Sequence, residues 1–203
     1  LAKDVNNHVL CADKKAKISL NLIKDDKFKK LKIRNKVTED IKKVMVVGYP
    51  HNPNFTVGQP HLNTMTQVLL ELDLCKKLKL AGYSVLYKCH PDRISEAKPI
   101  FENIVDQFLM EKFEYCFHLS DCIIFTYAST TAFGFALKMN IPIVLFNFST
   151  SDLNERNLFN IKDRCSIINL NFDKNGYSEI DENTLQSYIY ESKSKIKENQ
   201  FLE

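Results

Sequence analysis

Three short apolar runs, at 84–89, 122–126 and 142–148, constrain this chain more than any other feature. Each is rich in β-branched or aromatic residues, and none alternates polar with apolar positions. That is how a strand covered on both faces reads. Each is also preceded by a stretch of helical spacing. The run at 84–89 leads into Lys88-Cys89-His90-Pro91, and the run at 122–126 leads into Ser129-Thr130-Thr131, where a helical pattern begins. In an open parallel sheet, ligands bind outside the C-terminal ends of the strands. A histidine and a hydroxyl cluster are therefore expected on the binding edge.

Two further strands complete the pattern. Residues 42–49 read KKVMVVGY, and residues 166–172 read SIINLNF. Between the strands, helices are expected from Asn63, as cap, to about Ala81, where Gly82 ends the helix. Others are expected over 95–108, 112–119 and 130–139, with a short one inside 151–164. Asp181 is expected to cap a last helix from Glu182 to about Glu198. The apolar face of the first helix is expected at Met65, Val68, Leu69, Leu72, Cys75, Leu78 and Leu80. Strand–helix alternation with crossovers of this length predicts an α/β fold, a Rossmann-like doubly wound parallel sheet over 41–203. Residues 1–40 read as a basic connector or the tail of a preceding domain, with one amphipathic helix over 14–23.

Charge divides along the same boundary. Residues 1–43 hold 13 Lys and Arg against 6 Asp and Glu, a balance of +7. Residues 44–203 hold 15 against 19, a balance of −4. The basic end reads either as a solvated helix face or as a surface for anionic lipid or an anionic acceptor. Nucleic acid is not expected as a partner, because aromatic residues are not interleaved with the charges and the main domain is acidic. No run of eighteen apolar residues occurs, as a membrane-spanning helix would need. The six cysteines, at 11, 75, 89, 116, 122 and 165, form no CxxC pair. They are expected to be reduced and mostly buried in a cytoplasmic protein.

With only five glycines, the chain has neither the GxGxxG dinucleotide fingerprint nor the P-loop pattern. The loop 50–60, PHNPNFTVGQP, contains three prolines and cannot be a helix. It follows the first strand, through Gly48 and Tyr49, as a candidate ligand loop. His90 before Pro91 is consistent with a plain extended strand exit. It also suits an imidazole held over the sheet edge that donates to a phosphate oxygen. Lys88 shares the His90 face by strand alternation, and Arg93 follows within a turn, so the cluster suits an anion. Ser129, Thr130 and Thr131 read as a helix N-cap, whose exposed backbone N–H groups can also hold an anion.

The order Val-Val-Gly-Tyr-Pro, Tyr-Lys-Cys-His-Pro, Ser-Asp-Cys-Ile-Ile-Phe-Thr-Tyr-Ala-Ser-Thr-Thr and Asn-Ile-Pro-Ile-Val-Leu-Phe resembles the C-terminal half of a GT-B glycosyltransferase. Over about residues 42–190 it is similar to bacterial capsule and lipopolysaccharide transferases with HP and Ser/Thr motifs. These include sialyl- and Kdo-transferases and the CDP-glycerol glycerophosphotransferases. The resemblance implies a metal-independent transferase with a nucleotide-activated donor as substrate, a CMP-sugar or CDP-glycerol, and no cofactor. His90 would be catalytic. Lys88, His90, Pro91, Arg93, Gly48, Tyr49, Ser129, Thr130 and Thr131 would bind the donor nucleotide. Gly134 and Phe135 stand where many relatives carry an acidic residue for the donor ribose. The implied partners are a polysaccharide or lipid-linked acceptor and an N-terminal acceptor domain. The implied location is cytoplasmic, with peripheral contact at the inner membrane face through 1–43. Two other functions share these features: a non-catalytic nucleotide-binding module of a polysaccharide synthesis complex, and a UDP-sugar-dependent transferase or epimerase.

Overall fold

The computed structural model describes residues 40–49, 64–128, 130–148, 155–172 and 178–196. The 1–40 connector up to residue 39, the loop 50–63 with the Asn63 cap, and Ser129 lie outside the described residues.

Six strands form one sheet: β1 (Lys43–Val47), β2 (Ser84–Lys88), β3 (Gln107–Leu109), β4 (Cys122–Phe125), β5 (Ile143–Asn147) and β6 (Ser166–Asn169). Their order is β3-β2-β1-β4-β5-β6 and every pair is parallel. This is the doubly wound Rossmann order, in which chain direction across the sheet reverses between β1 and β4. The expected α/β fold is the observed one.

The helices are α1 (Thr64–Leu80), α2 (Ile94–Phe101), α3 (Phe113–Cys116), α4 (Thr131–Ala136), α5 (Glu155–Ile161) and α6 (Glu182–Ser194). Strand alternation sends side chains to two apolar layers. Val44, Val46, Val85, Tyr87, Cys122 and Ile124 pack with α1, α2 and α6, whereas Met45, Val47, Leu86, Ile123 and Phe125 pack with α3 and α4. Covering both faces explains why the strands read as unbroken apolar runs. Among the described residues, no helix is long and apolar enough to cross a membrane. Cys75, Cys89, Cys116, Cys122 and Cys165 are buried and unbridged.

Helix α1 ends as the sequence predicts. Gly82 has φ +87°, its N–H donates to the Lys79 carbonyl, and the Tyr83 N–H donates to the Leu78 carbonyl, both at 3.0 Å. This is a Schellman closure around a left-handed residue. Asp181 caps α6 by accepting from the Thr184 N–H at 2.9 Å.

Three expectations are corrected. Helix 95–108 is instead α2, ending at Phe101, followed by the edge strand β3. Phe101, Val105 and Phe108 repeat at helical spacing, but the last of them faces β2, with its ring 5.7 Å from that of Tyr87. Helix 130–139 is only the six residues of α4. Its C-terminal carbonyls are taken up by Arg164, described below. The apolar face of α1 is also rotated from its expected place. The buried positions are Gln67, Leu70, Glu71, Leu74, Cys75 and Leu78, while Met65 and Leu80 are 67% and 74% exposed. The strip at 67, 70, 71, 74 and 78 has helical spacing, but two of its members are polar.

Candidate functional site at the C-terminal edge of the sheet

The two edges of the sheet are built differently. At the N-terminal edge, Asp121 accepts from the N–H groups of Lys42 and Lys43 at 3.0 and 2.8 Å. Asp106 accepts from the Val85 N–H at 2.7 Å and from Lys79 at 3.0 Å, and the Val85 bond above all, helped by Lys79, holds its carboxyl below the usual range. The basic and hydroxyl-bearing residues singled out in the sequence, Lys88, His90, Arg93, Thr130 and Thr131, lie at the other edge. Lys88, Val47 and Phe125 stand level across β2, β1 and β4. Two residues further along each chain come His90, Tyr49 and Tyr127, so these three fall at one height beyond the central strands. The crevice between β1 and β4 is where the sheet changes direction, the usual ligand position in such folds.

His90 is held in extended backbone, φ −68° and ψ 136°, by the proline that follows it. Its Nδ1 accepts from the Asp92 N–H at 3.3 Å. An acceptor Nδ1 places the proton of the neutral imidazole on Nε2. Burial pushes the His90 pKa below 6.5, Asp92 pushes it back, and Lys88 adds to the fall. At pH 7 the ring is therefore a neutral donor through Nε2. The neighbouring Cys89 thiol is pushed up to about 11 by burial, which removes it as a nucleophile near neutral pH.

The other members of the basic cluster are committed internally, contrary to a simple surface anion cluster. Pro91 is exposed at the start of the 3-10 turn Pro91–Arg93. Arg93 is 3% exposed. Its Nη1 donates to the Tyr49 carbonyl at 2.8 Å, and its Nε lies 3.5 Å from a Glu96 carboxylate oxygen. Lys88 is 4% exposed, and its ammonium donates to the Cys89 carbonyl. Burial lowers its pKa, and Cys116, Cys89 and Glu114 push it back. Among the described residues, no carboxylate pairs with it.

On the β4 side, Thr130 caps α4, its Oγ1 accepting from the Ala132 N–H at 3.3 Å. The Thr130 side chain also hydrogen-bonds Tyr127, whose phenol burial pushes well above its ordinary value. Thr131 is exposed at the first position of α4. A six-residue helix carries little macrodipole, so the anion-binding capacity expected of this N-terminus is small. The Tyr49 and Tyr127 rings meet edge to face, centroids 4.9 Å apart at 75°, and close the floor of the crevice.

Sequence reasoning missed the polar cluster beneath that floor. Glu71 of α1 is fully buried. Its Oε1 accepts from the Tyr49 N–H at 2.8 Å, Gln67 Nε2 at 3.1 Å and Thr126 Oγ1 at 3.3 Å. Its Oε2 accepts from the Tyr87 phenol at 2.6 Å. Gln67 also donates to Thr126 Oγ1 at 3.0 Å. Burial raises the Glu71 pKa from 4.5 to about 7, against the opposing pull of these four donors. Gly48 belongs to this cluster for a steric reason. A Cβ there would lie 2.2 Å from Tyr87 Oη and 2.6 Å from Cζ. Gly48 thus makes room for the Tyr87 phenol. The signal in the sequence was the pair Gln67 and Glu71, four apart on the strip that carries Leu70, Leu74 and Leu78.

No family model matches the chain, and no curated protein matches it. Solved structures similar to it include MT0777, with a TM-score of 0.45 and 17% identity over 74% of this chain and 95% of that one. KpsC from Thermosulfurimonas dismutans, a beta Kdo 2,7 transferase, gives a TM-score of 0.36 and 22% identity over 54% of this chain and 35% of that one. At these scores neither likeness bears on what this chain does.

Proposed function

We propose that this chain is the donor-nucleotide-binding domain of a GT-B-type glycosyltransferase. It would move a sugar or glycerol phosphate from a cytidine nucleotide to a bacterial surface-polysaccharide acceptor. The observation that supports this most is the alignment of His90, Tyr49 and Tyr127 beyond β2, β1 and β4 at the point where the sheet reverses. Beside them lies Lys88, a buried cation with two donor hydrogens unassigned and no carboxylate paired to it among the described residues. Burying a cation is costly unless an anion joins it. A donor phosphate is the anion this reading supplies.

In sugar transfer, the bond from the anomeric carbon to the phosphate oxygen breaks as an acceptor oxygen bonds that carbon. The acceptor proton passes to a base, and negative charge collects on the departing nucleotide. His90 donates through Nε2 to that phosphate, and Lys88 stabilises the charge from beneath. In this reading Thr130 and Thr131, at the start of α4, meet the donor from the β4 side. The base belongs to the acceptor domain in this reading, so the chain alone binds nucleotide and turns over slowly.

A thermal-shift series with CMP, CDP, UMP, UDP, GDP and ADP tests the reading. Binding to the native state raises Tm by mass action. The expected order places CDP and CMP above the purine nucleotides. No shift with any nucleotide at millimolar concentration contradicts the proposal, and a preference for UDP replaces the cytidine donor with a uridine one.

A further inference from the structure

The backbone of Tyr49, the last described residue before the candidate ligand loop, is gripped from two sides. Its N–H is held by Glu71 and its carbonyl by Arg93. The four groups that meet on Glu71 come from α1, β2 and the exits of β1 and β4. One carboxyl therefore ties together the helix and three strand ends that form the crevice. We infer that Glu71 is a proton-linked positioning residue, which takes up a proton when an anion enters the β1–β4 crevice and so couples anion binding there to pH. This inference rests on the nucleotide-binding reading for the identity of the anion.

The geometry admits both protonation states. As a carboxylate, Glu71 accepts all four bonds. As the neutral acid, Oε1 still accepts from Tyr49, Gln67 and Thr126, while Oε2–H donates to the Tyr87 oxygen, since a phenol can both give and accept. Tyr49 is held in either case, so the proton changes the charge beneath the crevice without dismantling it. Among the described residues, no cation pairs with Glu71. The titratable groups that feel it are Cys75 on α1, Tyr87 and Cys89 from β2, and Tyr127 after β4. All are neutral near pH 7, with pKa values raised by burial, so none supplies a compensating charge. A phosphate above the Tyr49 peptide disfavours the carboxylate by like-charge repulsion in a poorly solvated space. Burial raises the Glu71 pKa to about 7, so added repulsion shifts it further toward the neutral acid near neutral pH.

Two measurements test the coupling. The Tyr49 amide resonance of the chain is followed from pH 5 to pH 9 in wild type and Glu71→Gln, without ligand. CDP affinity is then measured at pH 6 and pH 8.5 in both proteins. The expected result is a Tyr49 titration near neutral pH in wild type only. CDP affinity should also fall about tenfold more steeply with pH in wild type than in Glu71→Gln. Comparing the two proteins cancels titration of the nucleotide and of His90. A flat Tyr49 amide, or equal pH slopes, overturns the inference while leaving nucleotide binding intact. Absence of CDP binding at either pH removes both this coupling and the functional reading beneath it. If Glu71→Gln does not fold, Tyr87→Phe takes its place. Removing a donor to the carboxylate moves the Tyr49 titration to higher pH, and an unmoved midpoint overturns the inference.

Discussion

Glu71, on α1, and His90, two residues beyond β2, lie at the same edge of the sheet, yet their protonation pulls stability in opposite directions. Burial raises the Glu71 pKa from 4.5 to about 7, so between those values the folded chain binds more protons than the unfolded one. Its contribution is fully present below pH 4.5 and is lost as pH rises through about 7. The rise corresponds to on the order of 3 kcal/mol in a fully buried group. His90, with its pKa lowered from 6.5, contributes stability above pH 6.5 and loses it as pH falls through its lowered value. Substituting Glu71→Gln removes the first effect and leaves the second. Urea unfolding of the two proteins should show the variant gaining on wild type by on the order of 1–3 kcal/mol from pH 5 to pH 8. A stability difference that does not change with pH contradicts a titrating Glu71. At this scale the sequence is legible where a residue type has one strong use. His90 before Pro91, Gly82 after a helix and Asp181 before one were each readable from local backbone chemistry. Glu71 was not, because nothing local marks a carboxylate as buried. Its partners Tyr49, Tyr87 and Thr126 meet it only through the sheet. Gly48 was readable as a special position, but the reason for it, the Tyr87 phenol, comes from the neighbouring strand.

Among the elements, the strands were the most legible, because burial on both faces leaves each one continuously apolar and bounded by turn residues. The helices were less so. The spacing of Phe101, Val105 and Phe108 continues a helical pattern across the turn into β3, and α4 stops three residues before its expected end. The reason for that stop is another element. Arg164, which follows α5, is 2% exposed and donates to the carbonyls of Ala136, Leu137, Met139 and Ile141. One guanidinium thus closes α4 and the turn into β5, and so anchors the helix that carries Thr130 and Thr131. Arg164→Met removes these bonds, leaving the Ala136 and Met139 carbonyls only the backbone N–H groups of Met139 and Ile141, and should destabilise the chain by on the order of 3 kcal/mol in urea unfolding. Arg164→Lys should recover part of that loss, since an ammonium reaches fewer of the carbonyls. A cost below about 0.5 kcal/mol for Arg164→Met, the range of ordinary surface changes, would contradict this role.

For the whole molecule, the two ends of the strands are used differently. Asp106 and Asp121 satisfy the backbone at the N-terminal edge, while Lys88, His90 and Arg93 gather at the C-terminal edge, where the strand order reverses. The alternation of elements in the sequence foretold the sheet and the edge. It could not foretell that two of the three basic groups would be buried, with Lys88 donating to the Cys89 carbonyl and Arg93 to the Tyr49 carbonyl. His90 is thereby the half-exposed donor of that trio and the residue on which nucleotide binding should depend. The deciding measurement is calorimetric titration of CDP, at pH 7, into the 203-residue chain and into a folded His90→Ala variant. The account predicts binding to wild type and about 30-fold weaker binding to the variant, equivalent to about 2 kcal/mol for a lost bond to a charged group. Equal affinities, or no binding to wild type, would contradict it.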